Sequence, residues 1–145
     1  MPAKASALTL TAPRILIVDD DDALRASVVR TLAGDGWTVT EAVNGKAALS
    51  ALGNARPDVI VLDLMMPEMD GFEFLAEFRA RDEWRAIPVV VVTAKDLTDE
   101  DRRYLGGGVQ RILQKNMRSQ DEFLSELAQA LTACVGRARS AGTDA

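Results

Sequence analysis

The chain has 145 residues, 48% hydrophobic and 27% charged, with a net charge of −5 and no histidine. That length accommodates one domain with a real core, and the acidic balance excludes a broad electrostatic footprint for nucleic acid or anionic lipid. Without histidine the chain offers no imidazole base, no histidine metal ligand and no phosphohistidine of its own. No apolar stretch reaches the length of a membrane span, and the N-terminal residues are too weakly apolar for a secretory signal. Cys134 is alone, so no internal disulfide can form; the predicted compartment is the cytoplasm, with Cys134 a small core hydrophobe.

Residues 1–13 read as a flexible N-terminal tail. The first strand, Ile15-Leu16-Ile17-Val18, ends in four aspartates, Asp19 to Asp22. Asp21 and Asp22 suit the N-terminus of a helix, where the dipole favours negative charge. Leu24, Val28, Val29 and Leu32 recur at helical spacing until Gly34-Asp35-Gly36 stops them. Trp37-Thr38-Val39-Thr40 alternates as a more exposed strand, and Asn44-Gly45 turns into a helix carrying Ala48, Leu49 and Leu52. Val59-Ile60-Val61-Leu62 runs directly into Asp63. Asp70 and Glu73 form a capping box for a third helix with a Phe74, Leu75 and Phe78 stripe. Pro88 opens the strand Val89-Val90-Val91-Val92, which closes in Thr93-Ala94. Thr98 caps a short acidic helix that Gly106-Gly107-Gly108 ends, and Arg111-Ile112-Leu113 leads through Gln114 to Lys115. Ser119 and Glu122 cap the last helix, whose apolar face is Phe123, Leu124, Leu127, Leu131 and Val135. Trp37 and Trp84 read as half-buried packing residues, and Arg102, Arg103 and Arg111 as solvated surface. Apolar strands alternating with helices predict a sheet covered on both faces. The expected fold is α/β, a flavodoxin-like (βα)5 doubly wound parallel sheet of strand order 2-1-3-4-5.

In that topology Asp19, Asp20 and Asp63 converge from adjacent strand ends. Three close carboxylates repel one another and call for a counter-ion. Oxygen ligands without His or Cys point to a hard cation, and Mg²⁺ is the common choice. Lys115 and the Thr93 hydroxyl approach from the other side. A carboxylate, a divalent metal, a lysine and a hydroxyl together suit in-line phosphoryl transfer onto Asp63.

Val-Asp-Asp at 18–20, Leu-Asp-Leu-Met-Met-Pro at 62–67 with Met69-Asp70-Gly71, Val-Thr-Ala at 92–94, and Lys115 resemble the receiver domain of two-component response regulators. The resemblance covers residues 14–135, leaving 136–145 as a flexible C-terminal tail and no output domain on the chain. It implies that Asp63 takes a phosphoryl group from a histidine kinase or histidine phosphotransfer domain. It also implies that Asp20 ligates Mg²⁺ directly, Asp19 acts mostly through water, and the Met65 carbonyl completes the ligands. Thr93 and Lys115 would contact the phosphoryl group, and a downstream protein target would read the change. Such a chain is a phosphoacceptor with at most self-catalysed phosphorylation and dephosphorylation, not an enzyme. Two positions depart from the pattern: Ile112 stands where receivers usually have an aromatic residue, and Asn116 where they usually have proline. The rival reading keeps the fold as an interaction module that works without phosphate. A small-ester phosphatase fits less well, because Met65 rather than an acid sits two residues past Asp63.

Overall fold

A computed structural model describes residues 12–106, 109–115 and 119–144, with residues 137–144 as helical backbone only. Five strands and five helices alternate: β1 (Arg14–Val18), α1 (Asp22–Gly34), β2 (Thr38–Ala42), α2 (Gly45–Asn54), β3 (Val59–Asp63), α3 (Gly71–Arg79), β4 (Val89–Thr93), α4 (Asp99–Leu105), β5 (Val109–Gln114) and α5 (Gln120–Asp144). The strands pair in parallel in the order β2-β1-β3-β4-β5, the flavodoxin-like arrangement expected from the sequence.

β-Branched and leucine side chains fill both faces of the three inner strands, and the alternation of strand side chains sorts them into two cores. Leu16, Val18, Ile60, Leu62, Val89 and Val91 face α2, α3 and α4, where Leu52, Phe74, Leu75, Phe78 and Leu105 meet them. Ile15, Ile17, Val59, Val61, Val90 and Val92 face α1 and α5, against Val28, Leu32, Phe123, Leu127 and Leu131. β3 and β4 are buried along their whole length, whereas the edge strand β2 is exposed or half-buried until Ala42. Between β4 and β5 the register slips by one residue: Val89 pairs with Val109, but Val90 pairs with Arg111. Gln110 is the extra residue.

The helix ends follow the sequence signals. The Asp21 carboxylate accepts from the Leu24 N–H to start α1. That helix stops at Asp35 and at Gly36, whose φ of +93° only glycine adopts at no cost. Asn44 caps α2 through the Ala47 N–H. Asp70 and Glu73 close a reciprocal capping box on α3, as Thr98 and Asp101 do on α4. Ser119 and Glu122 exchange the equivalent bonds ahead of α5.

One expectation needs correction. Trp84 is buried, not half-buried: it stacks on Phe78 at a centroid distance of 6.3 Å, with the Arg81 guanidinium 4.8 Å over its ring. Trp37 is half-buried as expected. α5 runs as helix to Asp144, through most of residues 136–145. At the other end, residues 1–11 of the expected N-terminal tail lie outside the described residues, as do Gly107, Gly108 and Asn116. The Pro13 carbonyl accepts from the Thr38 N–H at 2.8 Å, so the sheet's bonding begins there. Cys134 is buried in the α1/α5 core. No helix among the described residues is long and apolar enough to cross a membrane.

Candidate functional site

Pairing of Val18 with Leu62 and of Asp63 with Val92 brings the ends of β1, β3 and β4 level. Asp19 therefore leaves β1 beside Asp63, and the Asp19 N–H stays in the sheet by donating to the Ala42 carbonyl. Asp19 and Thr93 are fully buried and Asp63 is only 3% exposed, while Asp20 is exposed. Carboxylate oxygens of Asp19, Asp20 and Asp63 lie within 4.8 Å of one another. Lys115, just past β5, reaches in: its Nζ sits 2.8 Å from Asp19 Oδ2 and 3.5 Å from Asp63 Oδ2. Its backbone N–H donates to the Thr93 carbonyl at 2.8 Å, which pins it against β4.

One ammonium faces three carboxylates, so the cluster is short of positive charge. Burial, followed by the Asp19 charge, pushes the Asp63 carboxyl up from 3.8 to about 6. Lys115 and the Met65 N–H, 3.3 Å from Asp63 Oδ1, pull the other way without cancelling it. A divalent cation with a preference for oxygen ligands fits this deficit. Asp19 is less available than Asp20, since its Oδ1 accepts from the Asp21 N–H at 2.9 Å and its Oδ2 is held by Lys115. Arg25 fixes the same residue from behind by donating to the Asp19 carbonyl at 2.8 Å.

Each residue singled out in the sequence thus falls at this rim: Asp19, Asp20, Asp63 and Lys115 meet directly, and Met65 borders them through its amide. Thr93 is at the rim too, with its Oγ1 accepting from the Lys95 N–H at 2.9 Å. Two contributors have no role in the sequence reading, although Gly71 stands there within its motif. A Cβ on Gly71 would lie 2.6 Å from the Asp63 carbonyl oxygen and 2.7 Å from Leu64 Cα, so only glycine lets α3 start this close to the end of β3. Lys95 was passed over although it stands two residues after Thr93 and just ahead of the Thr98 cap.

Residues 15–128 match the sequence pattern of the response regulator receiver domain. The chain belongs to that family. Receivers are signalling domains of two-component systems that interact with histidine kinases or phosphotransfer proteins, and phosphorylation and Mg²⁺ binding are typical of them. Among curated relatives, response regulator MprA of Mycobacterium sp. (strain KMS) is 41% identical over 102 residues, covering 70% of this chain and 44% of that protein. This receiver therefore spans less than half the length of the curated relatives it matches. Among solved structures, the chemotaxis protein CheY4 of Vibrio cholerae superposes with a TM-score of 0.72 at 30% identity, over 83% of this chain and 99% of that one. The signal receiver domain of a histidine kinase from Syntrophus aciditrophicus gives 0.70 at 27%, over 84% and 92%.

Proposed function

We infer that this receiver accepts a phosphoryl group on Asp63 from a phosphohistidine of a histidine kinase or phosphotransfer domain. The observation that carries this reading is the buried Asp63 carboxylate flanked by Asp19, Asp20 and the Lys115 ammonium. An Asp63 oxygen attacks phosphorus in line, the phosphorus–nitrogen bond of the donor breaks, and its electron pair stays on the imidazole. The donor ring comes from another protein or domain, because this chain has no histidine. Asp20, Asp63 and the Met65 carbonyl would hold Mg²⁺, with Asp19 acting through water. When bound, that ion withdraws charge from the phosphoryl oxygens and offsets the repulsion between carboxylates. Lys115 already sits within reach of Asp63 and would follow the new negative charge, while Thr93 offers its hydroxyl proton to a phosphoryl oxygen. The rival module, which works without phosphate, gives no account of three acids and a lysine gathered at a buried strand end.

Incubation with acetyl phosphate and Mg²⁺, followed by intact-mass and peptide mapping, tests the reading. One phosphoryl group on the peptide containing Asp63 is expected, labile to base and to hydroxylamine as an acyl phosphate is, and lost in Asp63→Ala. Labelling that persists in Asp63→Ala would assign the acceptor elsewhere, and no labelling of the parent would favour the phosphate-free module.

A further inference from the structure

α4 is weakly anchored for an element at the rim of a switch. Of its seven residues only Leu105 is buried, so beyond Leu105 and the edge-on contact of Tyr104 with Phe72 hydrophobic contact fixes little of its position. Polar clamps hold both of its ends. At the C-terminus, the Arg79 guanidinium donates to the carbonyls of Tyr104 and Leu105 at 3.0 and 2.9 Å. At the N-terminus, Lys95 Nζ lies 2.8 Å from Asp101 Oδ2, and the same oxygen accepts the Thr98 N–H at 3.0 Å. The Lys95 ammonium, with the Thr98 N–H after it, holds the Asp101 carboxyl below the usual range. Lys95 faces the site as well, because its backbone N–H is the donor to Thr93 Oγ1 at 2.9 Å. A single residue thus touches the Thr93 hydroxyl with its backbone and the first turn of α4 with its side chain.

We propose that Lys95 is a positioning residue, orienting the Thr93 hydroxyl through its N–H and carrying the state of the site to α4 through its ion pair with Asp101. This rests on the reading that Thr93 contacts a phosphoryl group on Asp63. The Lys95 N–H occupies a lone pair of Oγ1 and leaves the hydroxyl proton available to donate. Movement of Thr93 toward a phosphoryl oxygen draws the Lys95 backbone with it. The displacement then falls on Asp101 and the capping box it shares with Thr98. Ile112, half-buried against the α2/α3/α4 core, has no ring with which to perform that coupling, and the Lys95–Asp101 pair supplies a polar route in its place.

Hydrogen exchange of residues 94–106, with and without beryllofluoride and Mg²⁺ as a stable stand-in for the phosphoryl group, reads the coupling. Lys95→Met keeps the side-chain length and removes the charge, and Asp101→Asn keeps an acceptor for the Thr98 N–H. Each is expected to lose most of the beryllofluoride-induced change in α4, at least threefold, and to slow labelling by acetyl phosphate severalfold. Lys95→Arg should keep both responses, and the double variant should respond no less than either single one, since both break the same link. Lys95→Met retaining the full parental response in α4 would overturn the inference. A parent that takes up no phosphoryl group and does not respond to beryllofluoride would instead refute the proposed function, which is a distinguishable result.

Discussion

Removing the Asp63 charge should make the metal-free protein more stable, even though the residue is the proposed phosphoacceptor. A carboxyl raised from 3.8 to about 6 loses about 3 kcal/mol of folding stability on ionising, at about 1.4 kcal/mol per tenfold change in proton affinity. The sign follows from proton uptake. Between about pH 4 and pH 6 the folded state holds more protons than the unfolded chain, so stability falls as pH rises and stays low above pH 6. Asp63→Asn removes that slope while keeping shape and an acceptor for the Met65 N–H. In chelator at pH 8 the variant should gain about 2–3 kcal/mol, a rise in Tm of about 5–10 °C for a domain of this size. Thermal unfolding at pH 4.5 and pH 8, with EDTA and then with Mg²⁺, is the assay. The gain should shrink at pH 4.5. It should shrink again when Mg²⁺ stabilises the parent by binding the folded state alone. A variant no more stable than the parent at pH 8 in EDTA, or a gain indifferent to pH, would refute the electrostatic account of the cluster.

Lys115→Met should act in the opposite sense, leaving buried Asp19 and Asp63 without their ammonium. A loss of about 3–5 kcal/mol is expected near pH 8 by urea unfolding, smaller at pH 5, where the carboxyls can protonate. Gly71→Ala should cost about 1–3 kcal/mol, because the added methyl meets the Asp63 carbonyl and Leu64 backbone rather than a yielding side chain. Phosphoryl uptake from acetyl phosphate should slow in the same variant, since the end of β3 must shift to admit it. Asp70→Ala removes one half of the capping box on α3 and should lower stability by about 0.5–2 kcal/mol, with Mg²⁺ affinity unchanged on titration.

The fold was legible because its signals are local and repeated. Continuous β-branched runs at 59–62 and 89–92 have no polar face, so they belong inside a covered parallel sheet. The capping residues at 21, 44, 70, 98 and 119 each mark a start that the backbone adopts. The acid site was legible for a related reason: strand ends in a doubly wound sheet come together, so Asp19, Asp63, Thr93 and Lys115 could be placed from position alone. What escaped depends on contacts between elements. Nothing around Trp84 in sequence announces that Phe78 and Arg81 both lie against its ring. The Lys95–Asp101 pair joins a loop to a helix across six positions, a spacing that no helical or strand period singles out. Residues beyond 135 lack a long apolar stripe, the periodic signal by which a sequence marks a helix, yet α5 runs on to Asp144.

The single extra residue in β5 decides on which side of the sheet the site's lysine emerges. Because strand side chains alternate, a slip of one residue exchanges the two faces. Past Gln110, Ile112 joins the α2/α3/α4 core and Leu113 the α1/α5 core, so Lys115 follows Leu113 onto the face shared by Ile17 and Val61 and, beyond them, Asp19 and Asp63. Without the slip the same sequence would send its ammonium toward the opposite layer and leave two buried acids facing each other. The polarity of the site is thus written partly as a count of residues in a neighbouring strand. An insertion or deletion in β5, outside the aspartate cluster itself, would remove the positive charge as completely as mutating the lysine.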